Sequence, residues 1–184
     1  MGYRDFDKST GELSFWKNSS KKNETSVNRG LDYLELLITN SYGHAFDEKF
    51  RQAVLDLGAA VKYARSDKNK LYYRTPGSLK DFANGLARCG RVEHIVPVSV
   101  IVNKIRNVPL LDDGRIDRFA ILFLFSKYYY LCAVSLEEDA LLNKKLSSKM
   151  PDDWDDEDIF ARYRAVGITV LEGSGHIAQA KRIA

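Results

Sequence analysis

Cysteine is scarce in this chain of 184 residues, which contains only Cys89 and Cys132. Without a Cys-x-x-Cys pair, they exclude a zinc site of four cysteines within one chain and indicate no disulfide framework. Each is therefore predicted to be a small buried side chain rather than a reactive thiol. The chain is long enough for one sizeable core, or for one domain with a small appendage.

Long apolar runs are also missing. The longest, Phe119–Phe125, is far shorter than the roughly 20 residues that cross a bilayer. Residues 1–13 lack the apolar core of a signal peptide. We therefore expect a soluble, cytoplasmic protein.

The excess of positive charge is small, +3, so nucleic-acid binding cannot be inferred from the total. The distribution of charge is more informative. Residues 62–91 contain eight Lys or Arg against two Asp, whereas residues 152–158 contain six acids and no base. This asymmetry predicts one face that meets a polyanion and another that is kept away from it. Tyr63, Tyr72 and Tyr73 are predicted either to contact nucleic acid or to pack in the core.

The first half of the chain is predicted to be mainly helical. Residues 1–30 are polar and suggest a loosely structured arm, followed by a helix over 31–40. Apolar residues at spacings of three and four predict a stronger helix over 46–65. A short strand is predicted at 71–74. A capping box of Ser78 and Asp81 then opens a helix that Gly90 ends.

The second half alternates strands and helices. Ser135 and Glu138 have the spacing of a capping box, which predicts a helix from Leu136 to Leu146. The other predicted elements are a strand from residue 91, a helix over 100–107 after a cap at Ser99, a helix over 115–126 with a strand over 121–125 as the alternative, a strand over 128–134, a helix over 152–165 with an acidic first turn, a strand over 167–171 and a short C-terminal helix.

The strand that begins at residue 91 contains the most informative local pattern. Residues 93–99 read Glu-His-Ile-Val-Pro-Val-Ser, with an acid directly before a histidine in a short apolar run. Alternation places His94 on one face of the strand and Glu93 on the other. Proline at position 97 forces the backbone out of the strand just past the histidine. A histidine and a carboxylate held at a strand end can serve as a base beside a metal. An isolated histidine on a strand is more often structural, and we expect His44 and His176 to be surface or structural residues.

This pattern resembles the Asp-His-Ile-Val-Pro-x-Ser motif of HNH endonucleases, also called His-Me finger or ββα-metal nucleases. A second stretch, residues 143–151, reads Asn-Lys-Lys-Leu-Ser-Ser-Lys-Met-Pro. It is similar to the segment in the HNH domain of RNA-guided CRISPR nucleases in which a helix asparagine precedes a proline by the same interval. The resemblance covers residues 91–151.

The resemblance implies a division of roles among three residues. Glu93 and Asn143 would hold Mg²⁺ or Mn²⁺, and His94 would be the general base. Hard cations of this kind prefer oxygen ligands and keep several waters. A histidine can take a proton from water near neutral pH. Asp139 lies one helical turn before Asn143 and is either a further ligand or supporting group, or a solvent-facing residue.

Three features depart from the family pattern. Glu93 replaces the commoner aspartate, which lengthens this side chain by one methylene. The interval from His94 to Asn143 is 49 residues, and it requires an insertion at 100–126. The asparagine that supports the histidine loop in many family members has two candidates here, Asn103 and Asn107.

Basic residues near these motifs are candidates for contacts with the DNA backbone. They comprise Arg65, Lys68, Lys70, Arg74, Arg88, Arg91, Lys144, Lys145 and Lys149.

The expected fold is α+β, with a ββα-metal core, a mainly helical N-terminal part and a helical C-terminal extension. The expected parts are residues 1–90, 91–151 and 152–184, joined in one compact unit. The resemblance implies an endonuclease of restriction type, or from a phage or mobile element. It would cut double-stranded DNA as a homodimer and leave 5′-phosphate and 3′-hydroxyl ends. The alternatives are a nucleic-acid-binding or interaction protein on a decayed nuclease scaffold, and a nuclease toxin.

Overall fold

The protein has a mixed α and β fold, seen in a computed structural model. The structure describes residues 6–7, 12–13, 21–40, 45–64, 72–84, 91–174 and 176–182. The chain forms two compact units, each built from two separate segments. The first combines residues 1–66 with 101–129, and the second combines residues 67–100 with 130–184.

The first unit contains a pair of long helices. Its short strands β1 (Phe6–Asp7) and β2 (Glu12–Leu13) pair antiparallel and precede helix α1 (Lys21–Thr39) and helix α2 (Ala45–Ala64). The two helices bury apolar residues at helical spacing, which confirms the apolar stripe predicted for the second. These buried residues are Val27, Leu31, Leu34 and Leu37 on α1, and Phe50, Val54, Leu57 and Val61 on α2.

Helix α1 begins ten residues before the predicted start at residue 31. Residues 21–26 are polar and exposed or half-buried, so they carry no apolar stripe that predicts a helix. The arm predicted over residues 1–30 is therefore wrong for residues 21–30. Gly30 lies where a Cβ would come within 3.0 Å of the Leu57 side chain, so a small residue suits this helix contact.

Along the chain, helix α4 (Val98–Arg106) and helix α5 (Arg118–Tyr128) follow the strand with Glu93 and precede the next strand. Ser99 lies inside α4, so its predicted capping role is wrong. The alternative strand over 121–125 is also wrong, because these residues belong to α5. The cap of α5 is Asp117, whose carboxylate accepts a hydrogen bond from the Ala120 amide at 2.9 Å.

A five-stranded sheet forms the centre of the second unit. Its strands are β3 (Tyr72–Arg74), β4 (Arg91–His94), β5 (Leu131–Val134), β6 (Leu171–Ser174) and β7 (His176–Arg182), in the order β4-β5-β3-β6-β7. Strands β3 and β5 run parallel, and the other neighbours are antiparallel. The predicted start of β5 at residue 128 is wrong, because Tyr128 ends helix α5.

Helix α3 (Pro76–Ala83) starts at a different cap from the one predicted. The Thr75 hydroxyl accepts a hydrogen bond from the Ser78 amide at 3.2 Å, and Pro76 occupies the first helical position, which favours proline. Ser78 itself is buried inside the helix, and its hydroxyl donates to the Thr75 carbonyl at 2.9 Å. The predicted helix end at Gly90 lies outside the described residues.

The C-terminal part is not the helical extension that we expected. Residues 152–160 form turns, and helix α7 covers only Ala161–Ala165. The acidic side chains bind nearby amides instead of opening a long helix; Asp155, for example, accepts from the amides of Glu157 and Asp158. The predicted strand over 167–171 begins only at Leu171, and the alanine-rich end is strand β7. Pairing with β6 outweighs the local helix propensity of these alanines.

Helices α6 (Leu136–Leu146) and α7 contribute side chains to the core of this unit. Tyr73 packs edge-on against Phe160, with ring centroids 5.1 Å apart, so core packing explains this tyrosine. Cys132 is fully buried and burial raises the pKa of its thiol, as expected for an inert cysteine. The cluster comprises Tyr73, Ile95, Cys132, Val134, Leu142, Phe160, Tyr163, Ile168 and Val170. Among the described helices, none is long and apolar enough to span a membrane.

Candidate metal centre

An antiparallel strand pair followed by a helix carries the predicted site residues. Strands β4 and β5 pair with Glu93 opposite Cys132 and His94 opposite Leu131. Helix α6 begins immediately after β5 and ends at Leu146, as the sequence predicted. This β4-β5-α6 succession brings Glu93 and Asn143 into one region, although they are 50 positions apart in sequence.

The start of α6 is held by the predicted capping box. The Glu138 amide donates to the Ser135 hydroxyl at 3.1 Å, and the Ser135 amide donates to the Glu138 carboxylate at 2.8 Å. The same carboxylate accepts from the Thr75 hydroxyl and, at 3.3 Å, from the Gly77 amide. Glu138 therefore attaches the start of α6 to the β3–α3 junction, which fixes the direction in which the helix leaves the sheet.

Asp139 connects the two predicted metal ligands. Its side chain is buried, which excludes the alternative of a solvent-facing helix residue. One carboxylate oxygen accepts a hydrogen bond from the Asn143 side-chain amide at 2.9 Å, and the carboxylate also contacts that of Glu93. Since an ionised carboxylate only accepts hydrogen bonds, the NH₂ group of Asn143 faces Asp139 and its amide oxygen points elsewhere. That oxygen is the atom that would bind a metal.

Two arginines neutralise the carboxylates. Arg91 Nε lies 3.2 Å from Asp139 Oδ2, and Arg162 Nη2 lies 3.8 Å from Glu93 Oε2. The arginines differ in exposure, because the Arg91 side chain is 64% exposed and that of Arg162 only 1%. Arg91 was predicted to contact nucleic acid. Such a contact would compete with its ion pair to Asp139.

The electrostatics of Glu93 reflect this crowded position. Partial burial raises the pKa of its carboxyl group above the usual value, and the adjacent Asp139 carboxylate raises it further. The guanidinium groups of Arg162 and Arg91 act in the opposite direction. Two carboxylates in contact favour either a shared proton or a cation between them.

His94 is the last residue of β4, and the chain bends at the next two residues. Its carbonyl oxygen accepts a hydrogen bond from Arg162 Nη1 at 3.3 Å. Because neighbouring strand residues alternate, its ring leaves the sheet on the face opposite to Glu93. The ring is half-buried and its Nε2 atom is shielded from solvent. A role as general base therefore requires the Nδ1 atom, or a change in ring position, to reach water.

The predicted DNA contacts fall into three groups. Lys144, Lys145 and Lys149 are exposed at the end of α6 and just after it, and Lys149 pairs with Asp152 at 3.3 Å. Arg74 is half-buried on the central strand β3. Arg91 pairs with Asp139. The remaining predicted residues lie outside the described part of the chain: Arg65, Lys68, Lys70 and Arg88.

Two asparagines and two histidines were further candidates from the sequence. Asn103 and Asn107 are both exposed, one within α4 and the other just after it. His44 lies outside the described residues, and His176 belongs to β7. In the described ranges no three His, Cys, Asp or Glu side chains are grouped so as to hold a metal ion. A metal at this position would therefore depend on the Asn143 amide as well as on carboxylates.

Sequence reasoning missed Arg162. It lies 69 positions after Glu93 and in the same short helix as Arg164, which is exposed and pairs with Asp158. The two arginines have the same local setting in the sequence. Only the packing of α7 against the sheet distinguishes the buried one, so no sequence signal identifies it.

Comparisons of this chain with protein-family models, with curated proteins and with solved structures find no match.

Proposed function

We propose that this protein is a metal-dependent endonuclease of the HNH type that hydrolyses phosphodiester bonds in double-stranded DNA. The supporting observation is that Asp139 contacts both Glu93 and Asn143, two residues from distant parts of the chain. The motif resemblance alone named these two residues as metal ligands. Their common contact with the buried Asp139 carboxylate supports the proposal, because it brings the two residues into one region.

The available donors suit a hard divalent cation. Glu93 supplies a carboxylate and Asn143 an amide oxygen that points away from Asp139, and such oxygen ligands are preferred by Mg²⁺ and Mn²⁺. Asp139 acts chiefly by orienting Asn143, as supporting groups around metal ligands commonly do. When bound, the cation would stabilise negative charge on the phosphate and on the leaving oxygen.

The chain's own groups carry out the remaining steps. In this proposal His94 takes a proton from the water that attacks the phosphorus as the bond to the 3′ oxygen breaks, and Glu93 and Asn143 are the residues that would hold the cation. Lys144, Lys145 and Lys149 are exposed next to Asn143, where they are suited to contact the flanking phosphates. Cleavage leaves a 5′-phosphate and a 3′-hydroxyl. Since each chain has one such site, cutting both strands calls for a homodimer, as in an enzyme of restriction, phage or mobile-element origin.

A second candidate function is DNA binding or partner binding on a scaffold that has lost catalysis. The two ion pairs favour it, because Arg91 and Arg162 already neutralise Asp139 and Glu93 without a metal. This candidate predicts salt-dependent DNA binding that EDTA does not change, together with no cleavage.

Plasmid cleavage separates the two candidates. Supercoiled plasmid is incubated with the wild type, His94→Ala and His176→Ala, each with Mg²⁺ or EDTA. We expect Mg²⁺-dependent nicked or linear product from the wild type and His176→Ala, and none from His94→Ala. Equal cleavage by His94→Ala would show that another group acts as the base. Binding without cleavage by the wild type would favour the second candidate.

A further inference from the structure

One buried side chain reaches both residues that the proposed function places beside the reacting phosphate. Arg162 on α7 donates from Nη1 to the His94 carbonyl at 3.3 Å, and its Nη2 atom lies 3.8 Å from the Glu93 carboxylate. The side chain is 1% exposed, so its guanidinium cannot touch DNA directly. Any effect of Arg162 on chemistry must pass through these two neighbours.

The surroundings of Arg162 satisfy its guanidinium incompletely. A separation of 3.8 Å is too long for a hydrogen bond, and Nε and Nη2 are buried without a hydrogen-bond partner in the described part of the chain. Because arginine stays charged in proteins, burying it costs free energy. Among the described residues, Nε and Nη2 make no hydrogen bonds that would offset this cost. Replacing both partners of a buried ion pair by apolar groups is often neutral or stabilising, whereas removing Arg162 alone would leave Glu93 with Arg91 as the weaker countercharge.

The contact with His94 occurs at the point where β4 ends. The next amide, that of Ile95, donates to the Tyr130 carbonyl at 2.9 Å, and the chain then bends away from the sheet. Arg162 thus secures the last strand carbonyl just before this bend. At the same time its charge attracts the neighbouring carboxylate of Glu93 from 3.8 Å, and both contacts come from one planar group.

We propose that Arg162 is a positioning residue that fixes the Glu93 carboxylate and the His94 backbone relative to each other, an inference that rests on the proposed endonuclease function. The arrangement accounts for a buried cation with incomplete hydrogen bonding, a type of local defect that proteins keep mainly at functional sites. These contacts also distinguish Arg162 from Arg164, which lies on the same helix but is exposed and pairs with Asp158.

The test compares Arg162→Met, Arg162→Lys and the matched control Arg164→Met. We expect Arg162→Met to fold but to melt below the wild type, because Glu93 loses its main countercharge. Its single-turnover cleavage rate at saturating DNA should fall about ten- to hundredfold, as small misplacements of catalytic groups do, with unchanged DNA affinity. Arg162→Lys should recover part of the rate, and Arg164→Met should cleave like the wild type. Wild-type cleavage by Arg162→Met would overturn the inference.

A second readout keeps the inference testable apart from cleavage. The chain has three histidines, so their ring signals in a ¹H–¹⁵N spectrum can be assigned by substitution. Arg162→Lys, which keeps charge and most of the volume, should shift the His94 signals and leave those of His44 and His176 in place. If the wild type cleaves no DNA, the proposed function fails and the spectrum alone decides: unmoved His94 signals would overturn the positioning role. If Arg162→Met does not fold, the rate and spectrum of Arg162→Lys decide in the same way.

Discussion

Removing the Glu138 carboxylate should destabilise the second unit more than its place in the first turn of a helix suggests. This carboxylate accepts hydrogen bonds from the amides of Ser135 and Gly77 and from the Thr75 hydroxyl. In Glu138→Ala the three donors lose their acceptor, and their positions decide how much each loss costs.

The Ser135 amide should dominate that cost. Ser135 is buried and its bond is 2.8 Å long, so this donor is left unsatisfied at a cost of about 1–3 kcal/mol. The Gly77 bond is long, at 3.3 Å, and contributes less. The Thr75 hydroxyl retains a second acceptor, the Ala133 carbonyl at 3.4 Å. We therefore expect Glu138→Ala to lower the free energy of unfolding by about 2–4 kcal/mol.

Urea denaturation followed by circular dichroism measures this loss, with Glu137→Ala as the matched control. Glu137 is exposed in the same helical turn, so its removal costs only the interaction with the helix dipole, about 0.3–1 kcal/mol. The difference between the two variants isolates the buried contacts. If both variants lose the same stability, the attachment of α6 through Glu138 is wrong.

Three further predictions concern the same region. Gly77→Ala places a Cβ 2.6 Å from the Glu138 carboxylate carbon, so it should destabilise the wild type in urea but cost much less in a Glu138→Ala background; equal costs would argue against the clash. The raised pKa of Glu93 means that the folded state binds its proton more tightly than the unfolded state, so this group's contribution to stability is present at low pH and declines as pH rises through the raised pKa. Glu93→Gln should therefore gain stability relative to the wild type as pH rises above about 4.5, and a constant difference in urea melts would contradict the shift. Asp139→Ala should free the Asn143 amide to rotate and so raise the Mn²⁺ dissociation constant measured by calorimetry, by roughly ten- to a hundredfold; an unchanged constant would exclude an orienting role.

The elements that sequence reasoning predicted well are those with complete local signals. Helix α6 begins and ends where its capping box and apolar spacing place it, and strand β4 begins at Arg91 as predicted, although it ends at His94, before Ile95 and Val96. The α2 stripe is likewise confirmed by burial of Phe50 and its partners at helical spacing. In these cases the residues that define the element are adjacent in sequence, so no distant contact is needed to recognise it.

The errors arise where distant parts of the chain decide the structure. Strand β7 replaces a predicted helix because β6 supplies its hydrogen-bond partners. Thr75 rather than Ser78 caps α3, because Ser78 is drawn into the buried side of the helix. The contact of Asp139 with Glu93 and the burial of Arg162 depend on how α6 and α7 pack on the sheet. No local pattern contains that information.

The Mg²⁺ dependence of cleavage tests the central claim most directly, namely that Glu93 and Asn143 hold one cation. Single-turnover cleavage of an end-labelled duplex is measured against Mg²⁺ concentration for the wild type, Glu93→Gln, Asn143→Ala and the exposed neighbour Glu137→Gln. The account predicts that Glu93→Gln and Asn143→Ala need much more Mg²⁺ or do not cleave, while Glu137→Gln follows the wild-type curve. Wild-type cleavage by Glu93→Gln and Asn143→Ala at the same Mg²⁺ concentration would contradict it.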